Sequence, residues 1–136
     1  MPKQSPVPDE LTKPFWDGCN EGRLVLQSCK PCHRLNFPAK TACTQCGSGD
    51  NFEWREVKGL GKITGYGVVN DSRIRQLQEQ QPFNLAVISL YEDPEILFYS
   101  HLPGLPPNEV PIGADVEVFF EDTPATGQKV PEWRLR

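Results

Sequence analysis

Near its beginning the chain places apolar residues on one side of a helix. Their spacing predicts a short amphipathic helix with Thr12 as its N-cap and Gly22 at its end. The apolar residues of this helix are Leu11, Phe15, Trp16 and Cys19. Phe15 and Trp16 need a covering surface, either the chain's own sheet or a partner protein. Residues 1–10 contain three prolines and no apolar pattern, so they are predicted to form a loose arm.

After this helix the pattern changes to short segments typical of β-strands. Two of them, 24–28 and 52–57, flank a cysteine-rich stretch. Further strands are predicted at 62–70, 85–91, 96–102, 116–120 and 133–135. Because the first of these five is glycine-rich and therefore able to bend, the set predicts a small Greek-key barrel of the OB type. An immunoglobulin-like sandwich would need more strands.

Four cysteines stand in two closely spaced pairs, Cys29 with Cys32 and Cys43 with Cys46. Four thiolates surround zinc tetrahedrally and leave no open position, so the spacing predicts one structural zinc ion per chain. Two disulfides or four separate buried thiols are the alternatives, and His33 is an alternative ligand in place of Cys32. No signal of an oxidising compartment accompanies the cysteines, which favours zinc over disulfides.

The predicted fold is mainly β and has three parts. An N-terminal arm and helix occupy residues 1–23, a rubredoxin-like zinc ribbon occupies 24–57, and a five-stranded OB-type barrel occupies 58–136. The fifth cysteine, Cys19, is predicted to fill space under the helix as a small apolar side chain.

Composition and charge narrow the classes of function. The 136 residues fit one domain or two very small ones, and the net charge of −4 is unlike the basic footprint of a nucleic-acid-binding protein. Tyr66, Tyr91 and Tyr99 are available to stack on bases, but Glu92 and Glu117 give the barrel strands the wrong charge. Without an apolar run of roughly 18 residues or a signal peptide, the chain is predicted to be cytoplasmic, with no membrane or nucleic-acid partner.

The residues needed for catalysis are not grouped in this sequence. His33 lies inside the ribbon, and His101 stands beside Ser100 at a strand end without a positioned nucleophile or an oxyanion turn. The chain is therefore predicted not to be an enzyme on its own, with no catalytic residues.

The longest interruption of the barrel pattern is the polar, glutamine-rich stretch 71–82. A loop of this length in a compact domain is usually functional or disordered. Its two arginines form a basic pair in an acidic chain, and they could bind CoA phosphates or a partner's carboxylates. Its two apolar residues provide side chains that can be buried in a contact. The residues predicted to make this contact, together with the loop at 101–111, are Arg73, Ile74, Arg75 and Leu77. A disordered, solvated loop is the alternative.

Several motifs follow one another in a specific order along nearly the whole chain. They are Glu21-Gly22-Arg23-Leu24 before Cys29-x-x-Cys32, Phe37-Pro38, Cys43-x-x-Cys46-Gly47, Trp54 before Gly59-x-Gly61, Pro82-Phe83-Asn84-Leu85-Ala86-Val87, Ile112-Gly113 before Val116-Glu117-Val118, and Pro131-Glu132-Trp133-Arg134. This ordered set resembles the zinc-ribbon/OB-fold acyl-CoA-associated family.

The resemblance implies a small zinc-binding accessory subunit that assembles with a thiolase-superfamily enzyme into a hetero-oligomer. The large partner would carry the catalytic residues, and the small subunit would help to form the acyl-CoA site. As a free-standing chain, the sequence looks most like the zinc-finger subunits of thiolases that cleave benzoylsuccinyl-CoA in toluene degradation. The alternatives are a subunit of a steroid side-chain aldolase, a stand-alone acyl-CoA carrier and a nucleic-acid-binding OB protein.

Overall fold

The computed structural model describes residues 3–136. Residues 1 and 2, which belong to the predicted arm, lie outside the described residues. The helices and strands are α1 (Lys13–Asn20), β1 (Val25–Cys29), β2 (Leu35–Asn36), β3 (Phe52–Glu56), β4 (Leu60–Val69), α2 (Arg75–Gln78), β5 (Phe83–Leu90), β6 (Leu97–Ser100), β7 (Asp115–Asp122) and β8 (Lys129–Leu135). No helix among residues 3–136 is long and apolar enough to cross a membrane.

The strands form two antiparallel sheets. A three-stranded sheet has the order β2-β1-β3, and a five-stranded sheet has the order β6-β5-β4-β7-β8. The strand order of the five-stranded sheet is that of an OB barrel opened between β6 and β8. Strand β4 contains a register shift between Ile63 and Gly65, which lies in the glycine-rich segment predicted to bend. The prediction of a helix, a zinc ribbon and a mainly β barrel is confirmed.

The two edge strands of the larger sheet, β6 and β8, meet through side chains. The backbone N–H of Trp133 donates to Ser100 Oγ at 2.9 Å, and the Ser100 hydroxyl donates to Glu132 Oε2 at 2.7 Å. The rings of Phe98 and Trp133 pack with their centroids 5.3 Å apart. Pro131 has no N–H to donate, and an edge strand is where a sheet tolerates such a residue. The barrel therefore closes along a side-chain seam between β6 and β8.

One hydrophobic core extends through α1, the smaller sheet and the barrel. It includes Phe15, Leu26 and Leu35 from the first part of the chain, and Ile88 and Trp133 from the barrel. Phe37 stacks on Phe98 with ring centroids 4.4 Å apart, and Arg34 Nη1 contacts Asp93 Oδ2 at 2.7 Å. The ribbon is thus packed directly against the barrel.

The helix and the arm differ in detail from the sequence-based prediction. Thr12 stands at the N-cap of α1, but it caps no helix N–H; its hydroxyl donates to Asp9 Oδ1 at 2.8 Å. Gly22, with φ of 75°, ends the helix as predicted. The arm is not loose: the Ser5 hydroxyl donates to Thr123 Oγ1 at 2.7 Å, and Lys3 Nζ lies 3.3 Å from Glu132 Oε1. Polar contacts with residues distant in the sequence hold the arm in place. A local sequence pattern does not reveal such contacts.

Candidate functional site

The two cysteine pairs lie in two loops of similar construction. Cys29 ends β1, and its carbonyl accepts a hydrogen bond from the His33 N–H at 2.7 Å. In the second loop the Cys43 carbonyl accepts from the Gly47 N–H at 3.0 Å. His33 and Gly47 have φ values of 62° and 77°. Each chain reversal is therefore closed by a hydrogen bond from its fifth residue to its first, and Gly47 adopts the left-handed conformation that glycine allows.

The four predicted sulfur ligands converge. Cys29 Sγ lies 3.5 Å from Cys46 Sγ, Cys32 Sγ lies 3.6 Å from Cys43 Sγ, and all four lie within 4.8 Å of one another. A tetrahedral zinc ion with Zn–S bonds of about 2.3 Å needs sulfurs about 3.8 Å apart. A disulfide needs about 2.05 Å, and all these cysteines are free. The donor set therefore fits one structural zinc ion, and His33 is outside the group.

The sulfurs differ strongly in their environment. The pKa of Cys43 is lowered to about 6, first by the backbone N–H of Cys46 and then by the N–H of Gln45 and the side chain of Asn36. Burial raises the pKa of Cys29 to about 12. A buried thiol of this kind becomes a thiolate ligand when a cation replaces its proton. The two loops thus differ, because hydrogen bonds favour the thiolate form of Cys43 whereas burial disfavours that of Cys29.

Asn36 orients the second loop, and the sequence analysis missed it. This residue is 2% exposed. Its Oδ1 accepts from the Thr44 N–H at 3.1 Å and from the Thr44 hydroxyl at 2.9 Å, while its Nδ2 lies 3.7 Å from Cys43 Sγ. Hydrogen bonds to ligating sulfurs fix ligand orientation at metal sites. The only sequence signal for this role was a polar residue directly before the apolar Phe37-Pro38 step.

The predicted contact loop is partly helical, because α2 forms within it. Arg73 and Arg75 are exposed and form no ion pair within residues 3–136. Ile74 is 39% exposed, and with Leu77, Lys3 and Gln4 it lines a shallow cavity of about 150 Å³. The structure therefore brings the apolar residues of the loop against the N-terminal arm and leaves the two guanidinium groups in solvent.

The two aromatic residues predicted on α1 have different positions. Phe15 is 7% exposed and packs in the core against Trp16 and Phe37. Trp16 is only partly buried, so it is the member of the pair that offers surface to another molecule. It lines a groove of about 420 Å³ between α1, the ribbon and the barrel, here called the aromatic groove. Its other lining residues include Phe37, Pro38, Trp54, Tyr99 and Pro131.

Ser100 and His101 serve the barrel seam. Ser100 is 1% exposed; its hydroxyl lies 2.7 Å from Glu132 Oε2 and 3.2 Å from the His101 carbonyl oxygen, and it forms no hydrogen bond with the imidazole ring. His101 Nδ1 lies 3.2 Å from the Asn84 carbonyl oxygen, and burial lowers the pKa of the ring. The serine hydroxyl is thus occupied by the carboxylate of β8, which fits a structural role.

Comparisons with known proteins agree with this architecture. Residues 16–53 match the model of the rubredoxin-like zinc ribbon domain of ChsH2. A DUF35 domain-containing scaffold protein of Methanocaldococcus jannaschii is 32% identical over 97 residues, which cover 71% of this chain and 67% of that protein. A probable enoyl-CoA hydratase alpha subunit of Thermomonospora curvata is 28% identical over 103 residues. That match covers 75% of this chain but only 31% of the hydratase subunit.

Solved structures share the fold along almost the whole chain. A chain of the Ltp2-ChsH2(DUF35) aldolase superposes with a TM-score of 0.81 at 23% identity, covering 96% of this chain and 98% of that one. A DUF35 protein of unknown function from Sulfolobus solfataricus superposes with a TM-score of 0.63 at 19% identity, covering 93% and 86%. At these identities the likeness establishes the fold alone.

Proposed function

Because the chain belongs to the DUF35 family, we propose that it is a non-catalytic zinc-binding scaffold subunit. It assembles with a thiolase-superfamily enzyme and helps to form that enzyme's acyl-CoA site. The observation that carries the proposal is the closed four-cysteine site, in which the protein fills every tetrahedral position and leaves none for substrate or water. A metal ion in such a site stabilises the fold and does not bind substrate. We therefore assign the catalytic reaction to a partner protein.

The names of the relatives support an enzyme partner. One relative is a scaffold protein, one is a hydratase subunit whose name refers to enoyl-CoA, and one structural match belongs to an aldolase complex. The finer proposal is a cytoplasmic hetero-oligomer that carries out thiolysis of a β-oxoacyl-CoA such as benzoylsuccinyl-CoA, as in toluene degradation. It extends the resemblance of this sequence to thiolase subunits.

A steroid side-chain aldolase is the second candidate for the partner. The fold match to the aldolase chain, which covers nearly all of both chains, favours it. A nucleic-acid-binding role fits less well, because Arg134 and Lys129 on the outer barrel strand are paired with Glu117 and Asp122 and are not free to meet phosphates.

The tagged chain is expected to retain a large enzyme subunit during purification from its native cells, and mass spectrometry identifies that subunit. The pair is expected to cleave a β-oxoacyl-CoA with CoA, or to cleave an aldol of an acyl-CoA, while the scaffold alone shows no turnover. The first activity supports a thiolase partner and the second an aldolase partner. Turnover by the isolated chain, free of contaminants, would overturn the proposal.

The loop carrying α2 is proposed to contact the enzyme or its CoA ester through Arg73 and Arg75. Reversing both charges with Arg73→Glu and Arg75→Glu places repulsion where an anion would be attracted. We expect the KM for the acyl-CoA, or the Kd of assembly, to rise about tenfold, which corresponds to roughly 1.4 kcal/mol.

A matched double reversal elsewhere separates this contact from a general effect of charge. Arg55→Glu with Lys58→Glu changes the net charge equally at two exposed positions of the ribbon and its exit. This control is expected to assemble and turn over like wild type, and the zinc content of both double variants should be unchanged. If the loop variant also behaves like wild type, the stretch 71–82 is only a connector.

A further inference from the structure

The four sulfurs of the candidate zinc site differ in how easily a dissolved reagent reaches them. Cys29 and Cys43 are buried, Cys32 is half-buried, and Cys46 is exposed. All four become thiolates when they bind zinc, so ionisation does not distinguish them in the zinc-loaded chain. The reactivity of a thiolate then depends on access, which favours Cys46.

Hydrogen bonds distinguish the two sulfurs of the second loop in the same direction. Cys43 Sγ accepts from the Gln45 N–H at 3.4 Å and lies 3.7 Å from Asn36 Nδ2. No N–H group in the described part of the chain donates to Cys46 Sγ, whose near neighbour is Cys29 Sγ at 3.5 Å. Hydrogen bonds to a ligating sulfur engage its lone pairs and stabilise its negative charge. Exposure and hydrogen bonding therefore select the same sulfur as the more reactive one.

We propose that Cys46 is a modification site, at which hydrogen peroxide or an alkylating electrophile reacts with the zinc-loaded ribbon and causes it to release its metal. The proposal rests on the zinc assignment and is independent of which enzyme is the partner. The Cys46 thiolate attacks one peroxide oxygen, so an S–O bond forms while the O–O bond breaks. Sulfur loses two electrons, and the other oxygen leaves as hydroxide, which takes up a proton and becomes water. The resulting sulfenic acid is no longer a thiolate ligand.

A second thiolate lies close enough to convert this product into a disulfide. Cys29 Sγ is 3.5 Å from Cys46 Sγ, whereas the other close pair, Cys32 with Cys43 at 3.6 Å, does not include Cys46. Cys29 attacks the sulfenic sulfur, so the S–S bond forms, the S–O bond breaks, and the oxygen leaves as hydroxide that is protonated to water. In total, two thiolates, one hydrogen peroxide and two protons give one disulfide and two waters. The first disulfide is therefore expected to join the two loops through Cys29 and Cys46.

The first test treats the zinc-loaded chain with less than one equivalent of iodoacetamide, which forms an S–C bond to a thiolate and expels iodide. Peptide mass spectrometry measures the label on each cysteine, and a colorimetric chelator measures the released zinc. We expect Cys46 to carry about tenfold more label than the half-buried Cys32, with zinc release in step with its modification. In a parallel sample treated with hydrogen peroxide, the first disulfide is expected between Cys29 and Cys46. Equal or preferred labelling of Cys32, or zinc release before Cys46 is modified, would overturn the proposal.

A pair of histidine variants tests the reactive sulfur while keeping a fourth ligand. Cys46→His gives a set of three cysteines and one histidine, which also holds structural zinc, and an imidazole forms no sulfenic acid with peroxide. We expect peroxide to release zinc from this variant about tenfold more slowly than from wild type, in proportion to the lost access to thiolate. Cys32→His is the matched control, because it makes the same exchange in the first loop and is expected to stay as sensitive as wild type. Equal sensitivity of the two variants would contradict the assignment.

The zinc content before treatment separates failure of this proposal from failure of the zinc assignment. If the untreated chain contains zinc, the labelling pattern of the wild-type chain decides whether Cys46 is the modification site. A chain that binds no zinc would contradict the four-sulfur site itself, and this proposal with it. If Cys46→His loses its zinc without peroxide, the labelling of the wild-type chain remains the deciding measurement.

Discussion

Cys43→Ser abolishes zinc retention and unfolds the ribbon: this is the expected result with the largest effect on the molecule. Cys43 supplies one of the four converging sulfurs and the one with the lowered pKa. A three-thiolate site binds zinc far more weakly, and the metal-binding free energy of a structural site, about 10–16 kcal/mol in small zinc domains, is also folding free energy. Elemental analysis should find well under half an ion per chain.

The control for this substitution is Cys19→Ala, which removes the buried cysteine of α1 that lies outside the four-sulfur group. Cys19 is 0% exposed, and burial raises the pKa of its thiol to about 12, so it is a neutral apolar side chain. We expect Cys19→Ala to keep about one zinc ion per chain and to lose only packing free energy. Retention of a full zinc complement by Cys43→Ser, or equal zinc loss in both variants, would show that the four-sulfur assignment is wrong.

Trp133→Ala is expected to lower the free energy of unfolding by about 3–5 kcal/mol, a large part of the stability of a small domain. The side chain is 0% exposed and packs against Phe98 across the seam between β6 and β8. Truncation leaves a cavity where these two strands rely on side chains to meet. Urea denaturation monitored by circular dichroism measures the loss.

Trp133→Phe separates packing from hydrogen bonding at the same position. The indole Nε1 of Trp133 has no hydrogen-bond partner within residues 3–136, so phenylalanine gives up no polar contact there and keeps most of the ring packing. We expect it to cost at most about half as much as alanine. A loss below about 1 kcal/mol for Trp133→Ala would mean that the seam is held by Ser100 and Glu132 alone.

The features that local sequence determines were predictable. Cys29 and Cys32, like Cys43 and Cys46, are brought together by a turn of four residues, so their spacing carries the geometry. Alternating apolar residues located strands such as β4, predicted at 62–70 and observed as Leu60–Val69. Both signals depend on neighbours in the chain, which is why they can be read without knowledge of the fold.

Features made by distant residues were not predictable. Strand β8 runs over Lys129–Leu135, yet only 133–135 was expected to be a strand, because Pro131 interrupts the pattern. The aromatic groove combines α1, the ribbon and β6, and no single segment of the sequence describes it. Asn36 is recognisable as a support for Cys43 only when the two loops are seen together.

The single core that extends from the ribbon into the barrel has a consequence for recombination between homologous proteins. Leu26 and Leu35 pack in one cluster with residues of the barrel, and Phe37 stacks on Phe98. A chimera that joined the ribbon of one relative to the barrel of another would combine apolar side chains from two proteins in one core. These side chains would not have been selected to pack against each other. The cysteine motif can be transplanted as a sequence, but the surface under it must be exchanged as well. Ribbon and barrel are therefore expected to be inherited as one unit, with compensating substitutions on both sides of the contact between them.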